Sequence, residues 1–185
     1  MKQAIYGFVL FIFLILPPVS NLLESIMIIH MHMQMPLLVL SGFLMARFFL
    51  IRFPAVFEKW NHNGIPGILL FLIIWFYWMI PKAMDEALTL QTVELFKFVS
   101  LPFLAGVSLC DSWRKLSHMG QSIVYIIFTL KFIVMGYLYV GIDEQICNNY
   151  LIIEQKTLGW GSFAFAACFI LYGFQFVFSD QKEYE

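Results

Sequence analysis

The sequence predicts an all-α, polytopic transmembrane helix bundle of about six spans, with both termini cytoplasmic. Three observations predict it. Of the 185 residues, 61% are hydrophobic and only 12% are charged, against about 25% charged in a typical soluble domain. Mean hydropathy is +0.82, and several apolar runs approach the roughly 20 residues that cross a hydrocarbon core. The 11 Lys and Arg are spread unevenly among the intervening segments, and that asymmetry sets orientation. Residues 1–185 therefore read as a single integral membrane domain.

The first span covers about residues 4–20, an apolar run closed by Pro17-Pro18. Lys2 precedes it as in a signal peptide, but Pro17-Pro18-Val19-Ser20 lacks a small-x-small cleavage pattern, so a retained helix is expected. The second span, about 22–49, is long enough to tilt. Its Pro36 cannot donate to the His32 carbonyl, which predicts a bend there. Asn61-His62-Asn63-Gly64 signals a turn. The third span, about 65–81, carries Trp75, Tyr77 and Trp78 near its far end, as an interfacial aromatic belt would. The fourth, about 90–109, holds Glu94 and Lys97, which can pair at that spacing. The fifth, about 120–140, holds Lys131, whose stem can snorkel. A polar loop from Gly141 to Thr157 leads to the sixth, about 158–178, where Gly161, Ala164 and Cys168 form a small-residue packing stripe.

With the N-terminus inside, the cytoplasmic side takes Lys2, Arg47, Arg52, Lys59, Arg114, Lys115 and Lys182, and the outer loops take only Lys82 and Lys156. That is a positive-inside distribution. It brings His30 to roughly 10 Å below the outer end of its helix, at about 1.5 Å per residue. Met79, Glu94, Lys97, Glu154 and Gln155 come into the same leaflet.

His30-Met31-His32-Met33-Gln34-Met35-Pro36 is the most unusual stretch of the chain. Two imidazoles and three thioethers stand within six residues at membrane depth, where polar groups without partners are costly. Imidazole with thioether suits copper, Cu(I) above all. The plainer alternative is methionines filling packing gaps and a histidine bonded to a neighbouring helix. At about 100° per residue, Met27, His30, Met33 and Gln34 share one face, with Met31, His32 and Met35 pointing elsewhere. The expected metal ligands are His30 and Met33, with Met27, His32 and Met79 as auxiliaries. Gln34, Glu94 and Lys97 would orient them and tune their charge. His62 and His118 read as solvated loop residues.

Other classes find little support. Net charge is −1 with no basic patch, so nucleic acid is not an expected partner. Cys110, Cys147 and Cys168 form neither a disulfide framework nor a CxxC motif. No nucleophile, carboxylate pair or phosphate loop stands at catalytic spacing, so an enzyme is not expected.

The order of these motifs resembles the multi-span CtaG-type family of cytochrome c oxidase assembly factors. Its His-Met-x-x-His box followed by Pro and Leu-rich residues is similar to His30-Met31-His32-Met33-Gln34 and Pro36-Leu37-Leu38-Val39-Leu40-Ser41-Gly42. Its Trp-His-x-Pro and acidic Ala-Leu segment resemble Trp78-Met79-Ile80-Pro81 and Met84-Asp85-Glu86-Ala87-Leu88. A helix with spaced histidines, Ala-Gly and Trp is similar to Glu94, Lys97, Ala105-Gly106 and Trp113, and an Asp-Gln-x-x-Gly-Gly lead-in to Glu154-Gln155-Lys156-Thr157-Leu158-Gly159-Trp160-Gly161. Gln34, Met79 and Glu94 stand where the family has histidines, so a divergent, shortened member is expected. The resemblance implies an accessory factor for oxidase biogenesis in a bacterial plasma (inner) membrane, holding or delivering copper at the outer face. Its implied partners are oxidase subunits or a copper chaperone, besides the lipid bilayer. A small transporter or channel with a polar His/Glu/Lys path, and a scaffold without metal, are the alternatives.

Overall fold

The computed structural model describes residues 2–179, with side chains as far as Phe174. Among the described residues every regular element is helical: α1 (Lys2–Ile15), α2 (Pro17–Glu24), α3 (Met27–Arg52), α4 (Pro54–Trp60), α5 (Ile65–Trp78), α6 (Pro81–Thr89), α7 (Gln91–Trp113), α8 (His118–Gly141) and α9 (Ile152–Ser179). Within these, α3, α7, α8 and α9 are each long and apolar enough to cross a membrane. Two bent pairs, α1 with α2 and α5 with α6, each turn through 71° and raise the number to six if each pair is one span.

Prolines explain most of these boundaries. Five of the seven begin helices: Pro17 and Pro18 in α2, Pro54 in α4, Pro66 in α5 and Pro81 in α6. The first turn tolerates proline because its N–H has no intrahelical acceptor. The other two, Pro36 and Pro102, lie inside long helices, and each accompanies a π-helical turn: His30–Gln34 in α3 and Ser100–Gly106 in α7. In these wide turns Met35 N–H reaches back to the His30 carbonyl and Val107 N–H to that of Pro102. A ring that can neither donate nor sit against the preceding turn favours such a widening. The disturbance expected at Pro36 thus takes the form of a π-turn on its N-terminal side. The unexpected break lies further upstream, at Ser25-Ile26, and separates α2 from the run that had read as continuous from Leu22.

The chain forms two compact units. One takes the chain as far as Leu116 together with Ile146–Asn149; the other takes Ser117–Gln145 and the chain from Tyr150. In the first unit α3 is central and packs against α1 and α7, while α7 also packs against α5. At the α3–α7 crossing a Cβ on Gly42 would land on the Pro102 carbonyl, and one on Gly106 on the Val39 carbonyl. Small residues here let two backbones touch, as is usual where helices associate without a hydrophobic driving force.

The expected aromatic belt is instead largely core. Trp75 and Trp78 are buried, and Trp78 Nε1 donates to Ser100 Oγ at 2.8 Å. An indole can enter a helical core when its N–H meets an acceptor.

A polar clamp joins the start of α5 to the end of α7. The turn at Gly64 adopts a left-handed conformation (φ 77°). Behind it the fully buried Asn61 donates through Nδ2 to Asp111 Oδ2 (2.7 Å) and Ser112 Oγ (3.0 Å), and its Oδ1 accepts from Gly67 N–H (2.9 Å). Lys115 Nζ donates to the Asn61 carbonyl at 2.8 Å and pairs with Asp111 at 2.8 Å. Asn61→Ala leaves buried donors and acceptors unmatched, a loss of about 1–3 kcal/mol for such groups. Thermal unfolding in detergent should show the corresponding fall in midpoint.

In the second unit α8 packs along α9. Phe132 stacks on Phe165 and Phe128 on Phe169, with ring centroids 5.4 and 6.3 Å apart. The buried small residues of α9 are Gly159, Ser162 and Ala166, and Cys168 is exposed, so the packing stripe is displaced from the expected Gly161/Ala164/Cys168 face. The cause is the approach of α8, whose Val140 side chain would meet a Cβ on Gly159 at 2.7 Å. Helix α9 also begins six residues before the predicted start, because Glu154 Oε2 accepts the Leu151 N–H at 2.9 Å and caps the first turn. Lys131 is buried with Nζ 3.9 Å from the Phe132 ring centroid, a cation–π placement in keeping with its depth.

Candidate functional site at the wide turn of the third helix

The π-turn of α3 changes which side chains face inward. An i→i−5 bonded turn advances less per residue than an α-helix, so the 100° wheel loses register there. Met27, His30, Met31, Gln34 and Met35 are all fully buried. Met33, expected beside His30, is 52% exposed and lies on the outside of the bundle. Met31 and Met35, expected to point away, fill the interior. His32 is half-buried.

Charge converges on the same turn. Lys97 on α7 is fully buried, and its Nζ lies 2.6 Å from Glu24 Oε1, at the end of α2. Gln34 Nε2 donates to the same oxygen at 2.9 Å. The Lys97 ammonium also stands 3.5 Å from His30 Nε2 and 4.8 Å from the Phe98 ring centroid. Glu24, Gln34, Lys97 and His30 thus form one contact chain across α2, α3 and α7. Lys97 pairs with Glu24 rather than with Glu94. Glu94, three residues upstream on the same helix, is half-exposed and attracts Lys97 through space. The break at Ser25-Ile26 accounts for this choice. By ending α2 at Glu24 and letting α2 pack on the π-turn, it places a carboxylate where Lys97 would otherwise be an uncompensated charge.

Glu24 is the member of this cluster that the sequence reading missed. It stands at the margin of an apolar run, where acidic residues are ordinary, and 73 positions from its partner. The available signal was the buried cation itself: Lys97 at membrane depth demands an anion, and Glu94 was the nearer candidate in sequence only.

The cluster also bears on metal binding. Among the described residues no three His, Cys, Asp or Glu side chains gather as a metal-holding group. The Nε2 of His30 faces an ammonium, which disfavours a cation at that nitrogen. Thioether sulfur is differently placed: Met27, Met31 and Met35 recur every four residues on the buried side of α3. Met79 is buried where α5 bends toward α6. His62 and His118 are exposed as expected, His62 in the turn before α5 and His118 at the first position of α8 rather than in a loop.

Comparison with protein families, curated proteins and solved structures gives no significant match.

Proposed function

We propose that this chain is a membrane-embedded accessory factor for cytochrome c oxidase biogenesis that holds or delivers copper, as Cu(I), at the outer face of a bacterial plasma membrane. In this reading each bent pair is one span, giving six spans with both termini cytoplasmic. The motif order shared with CtaG-type factors supports the process, and the Lys/Arg distribution supports the orientation. The observation that carries the copper assignment is the row of fully buried thioethers, Met27, Met31 and Met35, around His30. Neutral sulfur ligands in a low-dielectric interior favour a soft monovalent cation over hard divalent ones. His30 then acts through its link to Lys97 and Glu24, and Met33 and Met79 are secondary. Oxidase subunits or a copper chaperone are the partners this role requires.

The test is copper stoichiometry of the purified, detergent-solubilised protein under reducing conditions. Met27→Leu/Met31→Leu/Met35→Leu conserves volume closely enough to retain the fold and is expected to lose at least tenfold in Cu(I) affinity. Loading equal to wild type would remove the thioether assignment. Retention of loading in His30→Ala/His32→Ala would place the ion on sulfur alone.

A second reading, a small transporter or channel, is favoured by the unbroken contacts from Gln34 through Glu24 and Lys97 to His30. Proton or metal flux into liposomes that stops with Lys97→Met would support it over a holding site.

A further inference from the structure

The loop between α8 and α9 is tied at its base and docked at its tip. At the base, Gln145 Nε2 donates to the Tyr150 carbonyl at 2.9 Å, closing a ring around the four residues between them. Gln155 Nε2 donates to the Glu144 carbonyl at 3.3 Å, and Lys156 Nζ donates to Asp143 at 2.8 Å. That ion pair holds the Asp143 carboxyl below the usual carboxylate range. The tip, Ile146–Asn149, packs in the first unit instead. There Asp85 of α6 gathers it: Oδ2 accepts from Asn148 N–H (2.8 Å) and Asn148 Nδ2 (3.3 Å), and Oδ1 accepts from Asn149 Nδ2 (3.2 Å). The Asp85 carbonyl accepts from Asn149 Nδ2 at 3.4 Å. Beside this contact lies a cleft of about 540 Å³ with a mixed lining, in which Ile80, Pro81 and Ile146 stand with Lys82, Glu86 and Thr89 around the Asp85 contact. Cys147, between the two bonded ends of the tip, is fully buried.

We propose that Ile146–Asn149 is a latch held on the Asp85 carboxylate, which closes one wall of this cleft and opens as a local unit. Two features separate a latch from ordinary loop packing. The base is closed by its own hydrogen bonds, so the tip can leave without unravelling α8 or α9. The printed attachment centres on Asp85, whose side chain accepts three N–H bonds, and bonds to a carboxylate are the strong ones. Regions able to open locally are those with few regular backbone bonds, and Ile142–Leu151 contains no helix or strand.

Cys147 supplies the readout. In the detergent-solubilised chain carrying Cys110→Ser and Cys168→Ser, a water-soluble maleimide should react slowly with the sealed thiol. Asp85→Ala is expected to raise the labelling rate at least tenfold with the helical melting transition unchanged. Asn148→Ala/Asn149→Ala should raise it less, since the Asn148 backbone N–H still reaches Asp85. An unchanged rate in Asp85→Ala would overturn the latch, as would a rise matched by loss of helical signal. A second measurement does not depend on that variant: labelling of the Asp85-bearing protein in sub-denaturing urea. A rate insensitive to urea marks local opening; one that climbs in step with global unfolding overturns the proposal.

Discussion

Lys97→Met is expected to destabilise the protein by roughly 3–5 kcal/mol, the range for a buried ion pair that loses one partner. The ammonium is fully buried and 2.6 Å from Glu24 Oε1, so its removal strands a nearly buried carboxylate beside Gln34 and an apolar interior. Glu24→Gln alone should cost a similar amount for the converse reason, leaving the cation without its anion. The double substitution is the informative one. Glu24→Gln/Lys97→Met removes both charges, and an uncharged pair of similar volume in a low-dielectric site is often neutral or stabilising. It should therefore recover most of the loss, giving a coupling energy well beyond the scatter of independent sites. Unfolding in mixed micelles measures all three variants. Additive losses in the double variant would mean that the two side chains act separately.

That pair also shows what could be read before the structure. Helical content and the positions of α3, α7, α8 and α9 follow from hydropathy, which each short window of sequence carries in itself. The prolines mark boundaries for the same reason, since a missing N–H acts within one turn. What did not transfer was anything set by geometry accumulated along the helix or between helices. His30 and Gln34 were rightly placed inside and Met33 wrongly, because a single π-turn rotates every side chain beyond it, and Pro36 signals a disturbance of the helix without fixing its form. Trp75 and Trp78 looked interfacial because their distribution along the chain was right, while Ser100 on another helix receives the Trp78 N–H inside the core. The partner of Lys97 was mistaken because local spacing favours Glu94, whereas the 71° bend between α1 and α2 and the break after Glu24 deliver a carboxylate from a distant segment. The docked tip at Asp85 was invisible for a related reason: Asn148 and Asn149 read as loop polarity until a buried acceptor faces them.

Gly42→Ala should be the most damaging single-methyl substitution in the first unit. Its Cβ would coincide with the Pro102 carbonyl at the π-turn of α7, and the nearest atoms are all backbone. No rotamer change relieves such a contact; the helices must separate. Overpacking of this kind costs typically 1–3 kcal/mol and occasionally more, and the rigid backbone on both sides puts Gly42→Ala at about 3 kcal/mol or above. Gly106→Ala meets the Val39 carbonyl and, at 2.9 Å, the Gly42 Cα from the opposite side, so its loss should be comparable. The two substitutions push on one crossing. Once the first has parted α3 from α7, the second finds room, and the double variant should lose clearly less than the sum of the singles. The separation also propagates, because α7 carries Lys97 three residues before its wide turn and α3 carries His30 in its own. Gly42→Ala is accordingly expected to weaken the Lys97–Glu24 coupling measured by the charge-pair cycle, whereas Gly136→Ala, in the other unit against Phe163, should leave it intact. An unaltered coupling in Gly42→Ala would show that the crossing and the charged cluster are mechanically independent.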